Sequence, residues 1–108
     1  MLKIIITETP TEKRWFVHGR LAGPWADELR LNWKNACRES DTRRCIVELN
    51  DVTFIDRNGE AVLAEIMSQG AEFIGGRMYI KHLLGDLRSE LKRTRMKQEK
   101  EDDTGNQL

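Results

Sequence analysis

Cysteine, proline, histidine and tyrosine are scarce in these 108 residues, at two, two, two and one. Cys37 sits in a helical pattern and Cys45 opens an apolar strand-like run. With no CxxC and no histidine at ligand spacing, they form neither a disulfide framework nor a zinc site. Both read as buried, reduced thiols. His18 and His82 each alternate with apolar neighbours in segments expected to be strands, so each reads as a structural side chain rather than a general base. No run approaches the roughly 18 apolar residues of a membrane span, and MLKIIITET lacks the basic flank and apolar core of a signal peptide. The expectation is a cytoplasmic chain without membrane insertion. An excess of either charge is missing too, because 18 Lys and Arg balance 18 Asp and Glu. That leaves no global basic field for nucleic acid.

Catalytic patterns are absent in the same way. There is no HExxH, no Walker motif and no glycine-rich phosphate cradle, since Gly75-Gly76 reads as a turn. The carboxylates are scattered over helix outer faces, so no acid and base pair can be named. The expectation is a non-enzymatic protein with no catalytic residues, no metal and no cofactor.

What is present is a hydrophobic content of 39% in a length that suits one domain with one core. Lys3 to Thr7 and Arg14 to Gly19 are β-branched or apolar runs, read as an antiparallel pair. Pro24 fits the first position of a helix, with Asp27 and Glu28 in the first turn, and the pattern carries it to about Glu39. Trp25, Leu29, Trp33 and either Ala36 or Cys37 form its apolar stripe, and Leu31 lies off it. Cys45 to Ile55 reads as a central strand broken or bulged at Asn50-Asp51. Gly59 to Gln69 reads as a helix with Val62, Leu63, Ile66 and Met67 on one side, ended by Gly70 or by Gly75-Gly76. Arg77 to His82 is then expected as a last strand, and Leu84, Leu87 and Leu91 as a short final helix. From Lys92 the chain is almost purely charged, basic at Lys92, Arg93, Arg95 and Lys97 and acidic at Glu99, Glu101, Asp102 and Asp103. Residues 92–108 are expected to be a disordered tail. The order β-β-α-β-α-β-α makes residues 1–91 an α/β domain with a mixed sheet of four to five strands and helices packed on it.

The junction between the third strand and second helix carries the most specific pattern. Val52-Thr53-Phe54-Ile55-Asp56, followed by Gly59 and an apolar helix, resembles the signature of the STAS domain. That fold is shared by bacterial anti-sigma-factor antagonists and the cytoplasmic tails of sulfate transporters. Val17-His18-Gly19-Arg20-Leu21 with Trp25-Ala26 is similar to the family's second strand and the start of its first helix. The order of elements fits from Leu2 to about Leu91.

The resemblance implies a regulatory domain that binds a protein partner through the loop Asp56, Arg57, Asn58 and Gly59. That partner would be an anti-sigma factor of kinase type or another component of a STAS complex, and a homodimer is compatible with the chain. In the family the residue after the aspartate is commonly a serine phosphorylated by the partner kinase. Here that position is Arg57, followed by Asn58, and neither accepts phosphate. A phosphoserine carries about minus two where Arg57 carries plus one, a difference of about three charges. A cation at a helix N-terminus also opposes the helix dipole. Arg57 therefore gains nothing locally and points to contact with an acidic partner surface.

Asp56 and Asn58 can each cap the helix through its exposed amides, and Gly59 allows close packing or an unusual backbone angle. Two other roles fit the same fold. One is an accessory subunit of an ABC-type lipid transporter, which needs no phosphoserine. The other is binding of a nucleotide or other small ligand at the anion-friendly helix N-terminus. Thr53 and Ser68 are the remaining hydroxyls weighed as phosphosites, and both are placed poorly for a kinase.

Overall fold

Runs of β-branched residues become strands and apolar residues at three- and four-residue spacing become helices. Their order is β1 (Leu2–Glu8), β2 (Glu12–Leu21), α1 (Pro24–Ala36), β3 (Arg44–Ile55), α2 (Arg57–Ser68), β4 (Glu72–Ile74) and α3 (Met78–Asn106). The computed structural model describes residues 2–36 and 42–106, with side chains as far as Thr94. Cys37 and the expected end of α1 near Glu39 lie outside the described residues.

The four strands form one sheet in the order β1-β2-β3-β4. β1 runs antiparallel to β2, while β2, β3 and β4 are mutually parallel neighbours. The sheet is therefore mixed, as the alternation of elements implies. The parallel connections β2-α1-β3 and β3-α2-β4 step the same way across it, and right-handed crossovers then place α1 and α2 on one face. α1 packs on α2 and α2 on α3.

Register shows which side chains meet beneath that helical layer. Ile6, Trp15, Val47 and Phe73 are cross-strand partners in one row, all of them on the core side. Trp15, Val17, Leu21, Leu49, Val52, Val62, Leu63 and Ile80 are almost fully buried there. The opposite face carries the row Ile5, Phe16, Glu48 and Ile74. β3 shifts register twice against β2, between the partners of Phe16 and His18 and again between those of Gly19 and Arg20. The first shift accommodates Asn50, so this strand does bulge where its polar pair stands.

Several sequence expectations change. Trp25 is 39% exposed, whereas Ala26, Leu29 and Trp33 are buried. At 100° per residue, Trp25 stands roughly 75° from the centre of the stripe those three define. Of the two tryptophans of α1, Trp33 alone enters the core, and its ring meets Trp15 with centroids 5.2 Å apart. Its indole N–H donates to Gln69 Oε1 at 2.8 Å, tying α1 to α2.

The second change concerns Arg77 to His82, which is not a strand. β4 is Glu72–Ile74, and α3 begins at Met78. Met78, Ile80 and His82 alternate as a strand would, but Ile80 and Leu84 are both buried and Leu87 and Leu91 pack against the core at helical spacing. That longer stripe wins. Gly75 and Gly76, at φ 74 and 100, make the turn between β4 and α3. His82 is accordingly an exposed helical residue, and His18 is half-buried on β2 with Nδ1 3.4 Å from Asp51 Oδ2. Cys45 is a free thiol, half-buried rather than buried. The helix α3 continues past Leu91 to Asn106.

One buried cation was not visible in the pattern. Lys13, on β2, is 5% exposed and donates from Nζ to the Ala36 carbonyl at 2.9 Å, with Glu8 Oε1 at 3.4 Å. It closes the carbonyl end of α1, where the helix dipole favours a positive charge.

The two tryptophans of α1 should separate cleanly in denaturant. Trp33→Ala is expected to lower unfolding free energy by about 3 to 5 kcal/mol, as for other large-to-small core changes. Trp25→Ala should cost less than about 1 kcal/mol, as at exposed positions. Urea titrations followed by circular dichroism measure both.

Candidate functional site

The site is built where two strands end side by side. Leu21 and Ile55 are cross-strand partners at the ends of β2 and β3, so the two strand-to-helix connections leave the sheet together. Asp56 follows Ile55 in extended backbone, φ −93 and ψ −175, and is the N-cap of α2. Its main-chain N–H donates to the Leu21 carbonyl at 3.3 Å, and its own carbonyl accepts from Glu60 N–H at 2.9 Å.

The carboxylate spans both connections. Asp56 Oδ1 accepts from Gly59 N–H at 2.8 Å, satisfying an amide of the first turn of α2. Asp56 Oδ2 accepts from Gly23 N–H, also at 2.8 Å, in the connection between β2 and α1. Gly23 has φ 54, in the left-handed region that glycine adopts without penalty. Asn58 adds a second tie. Its Nδ2 donates to the Gly23 carbonyl at 2.9 Å and approaches Asp27 Oδ1 at 3.2 Å. Both polar side chains of the loop are therefore committed to holding the start of α1 against the start of α2.

Gly59 is demanded by space rather than by angle. It lies within α2 and its φ is not positive. A Cβ there would overlap the Leu21 carbonyl oxygen and lie 2.9 Å from Ile55 Cγ2. The first turn of α2 thus presses directly on the end of β2.

Arg57 is the exception. It is the first residue of α2, is exposed, and makes no hydrogen bond or ion pair with another described residue. Asp56, Arg57, Asn58 and Gly59 are contiguous, but the structure divides their work: three fix the loop and one is left to solvent. Around the rim stand Phe54, capped by the Arg20 guanidinium 4.9 Å from its ring centre, and Tyr79, whose hydroxyl donates to the Thr53 carbonyl at 3.1 Å. Phe54 belongs to the motif read in the sequence, whereas nothing in the sequence pattern marks Tyr79 as a neighbour of the loop. Thr53 donates from Oγ1 to the Gly19 carbonyl at 3.3 Å, and Ser68 from Oγ to the Glu65 carbonyl at 2.6 Å.

Electrostatics follow from these contacts. The Gly59 N–H first and the Gly23 N–H second hold the Asp56 carboxyl below its ordinary value of 3.8. No group of three or more histidine, cysteine or acidic side chains converges to hold a metal ion among the described residues. No helix among them is long and apolar enough to cross a membrane.

Because folding lowers the carboxyl's pKa, its contribution to stability is present above the unfolded value and is lost as pH falls through the folded one. Asp56→Ala should therefore be less stable than wild type at neutral pH, with the difference shrinking as pH falls below about 4. Urea midpoints across a pH series measure this. Gly59→Val should cost about 1 to 3 kcal/mol, as overpacked sites do, and possess an ordinary α-helical content by circular dichroism once folded. No protein-family model matches the chain, and a search of curated proteins finds no significant relative.

Proposed function

We propose that this chain is a non-enzymatic regulatory domain of STAS type that acts by binding a protein partner through the Asp56 to Gly59 loop. The observation that carries the reading is the division of labour in that loop. Asp56 and Asn58 immobilise it through Gly23 and Gly59, and Arg57 stands exposed at its tip with no hydrogen bond or ion pair to another described residue. A rigid loop loses little conformational entropy on binding, and an unpaired guanidinium can meet a carboxylate with two parallel hydrogen bonds.

The partner is of anti-sigma-factor or kinase-like kind, or another member of a STAS complex, and it presents acidic groups to Arg57. In the family that position is commonly a phosphorylatable serine, and an arginine there cannot be switched off by phosphate. Binding is then constitutive, governed by partner concentration rather than by a phosphorylation cycle. Arginine in place of serine also favours a second reading, the accessory subunit of an ABC-type lipid transporter, which needs no such switch.

Affinity capture from the native cytosol, with quantitative mass spectrometry, separates these outcomes. Wild type should recover a defined partner, and Arg57→Glu should lose it by about tenfold or more, as when a charge pair across an interface is reversed. Recovery of a kinase-like anti-sigma factor supports the first reading and a nucleotide-binding ATPase the second. Equal recovery by both forms of the protein would rule the loop out as the contact.

A further inference from the structure

The two edges of the sheet are treated differently. At the β4 edge the strand is three residues long, Arg44 and Glu72 pair across it, and Tyr79 from α3 reaches over to the Thr53 carbonyl of β3. Short strands, charges and a covering element are ways in which sheets prevent further pairing. At the β1 edge the strand is long and no covering element lies over it among the described residues; its charges, Lys3 and Glu8, stand towards its two ends, where Glu8 is engaged by Lys13 and Arg43. β1 is seven residues of unbroken register against β2, without proline or bulge, and no strand lies on its outer side among the described residues. Its middle is Ile4, Ile5 and Ile6, with Ile5 41% and Ile6 39% exposed. A row of main-chain donors and acceptors flanked by bare isoleucine is a template for another strand.

We infer that β1 pairs antiparallel with β1 of a second copy, about a two-fold axis perpendicular to the sheet, to make one continuous eight-stranded sheet. The register follows from symmetry. Such an axis keeps each face on the same side, so a residue can face only residues an even number of positions away. Full overlap of Leu2–Glu8 then centres the axis on Ile5. Ile5 meets Ile5 of the second copy on the open face, and Ile6 meets Ile4 on the helix-covered face. Both exposed isoleucines are thereby covered. The charges agree with this occupant: Lys3 meets Thr7 and Glu8 meets Leu2, so no like charges are opposed.

A single strand pair buries less than the roughly 1,000 Å² expected of a stable interface, so the dimer forms in the micromolar range rather than below it.

Sedimentation velocity from about 1 to about 500 μM tests this, since self-association follows mass action. Wild type should pass from monomer to dimer across the series. Ile5→Lys and Ile5→Glu should each stay monomeric with unchanged circular dichroism, and an equimolar mixture of the two should regain dimer mass. Thr7→Glu, which faces Lys3 of the second copy twice per dimer, should tighten the dimer about fivefold, and Thr7→Lys should weaken it similarly. A wild type that remains monomeric throughout, single Ile5 variants that still dimerise, or a mixture that does not, would each overturn the proposal.

Discussion

One carboxylate joins the two halves of the fold. Asp56 accepts from Gly59 within its own helix and from Gly23 in the connection that begins α1. The ends of β2 and β3 can lie side by side only if the backbone groups freed there find partners, because buried or half-buried amides left unpaired are costly. Asp56 supplies two acceptors at that point, Asn58 supplies a donor, and Gly59 leaves room for the Leu21 carbonyl. The arrangement fixes where α1 and α2 start. The later contacts between those helices, Arg30 with Glu65 and Trp33 with Gln69, depend on that placement.

Arg57 gains its meaning from the same constraint. With Asp56 and Asn58 engaged in holding the loop, Arg57 is the one side chain of the three that bonds to no other described residue. A cation at this end of a helix is locally unfavourable, so its use is sought outside the chain. The proposed partner contact rests on that asymmetry and on the motif resemblance. The pairing inferred at β1 lies at a sheet edge and concerns main-chain groups, so it is independent of whatever binds at Arg57.

Much of this was legible in the sequence for identifiable reasons. The strands before α1, the central strand and α2 announce themselves through β-branched runs, Pro24 and the 62-63-66-67 spacing, which are local signals. The capping role of Asp56 was likewise local. Its second bond, to Gly23, was not, because it joins residues 33 apart in sequence. β4 gives no signal because three residues carry no periodicity, and the first residues of α3 resemble a strand because Met78, Ile80 and His82 alternate by chance. A spacing of four from Leu29 aligns Trp25 with the core side in the sequence, but that spacing alone does not bury it. Ala26, small and buried, extends the stripe on the side away from Trp25 and shifts its centre there. Lys13, a cation in a strand, gave no sign that it closes α1 from inside the fold.

The bridging carboxylate can be observed directly by following the Asp56 carboxyl carbon and the Gly23 and Gly59 amides by NMR during an acid titration. The expected result is a common midpoint for all three signals, lying below the ordinary carboxylate value of 3.8. An ordinary midpoint, or a Gly23 amide indifferent to the titration, would contradict the claim that Asp56 joins the two connections.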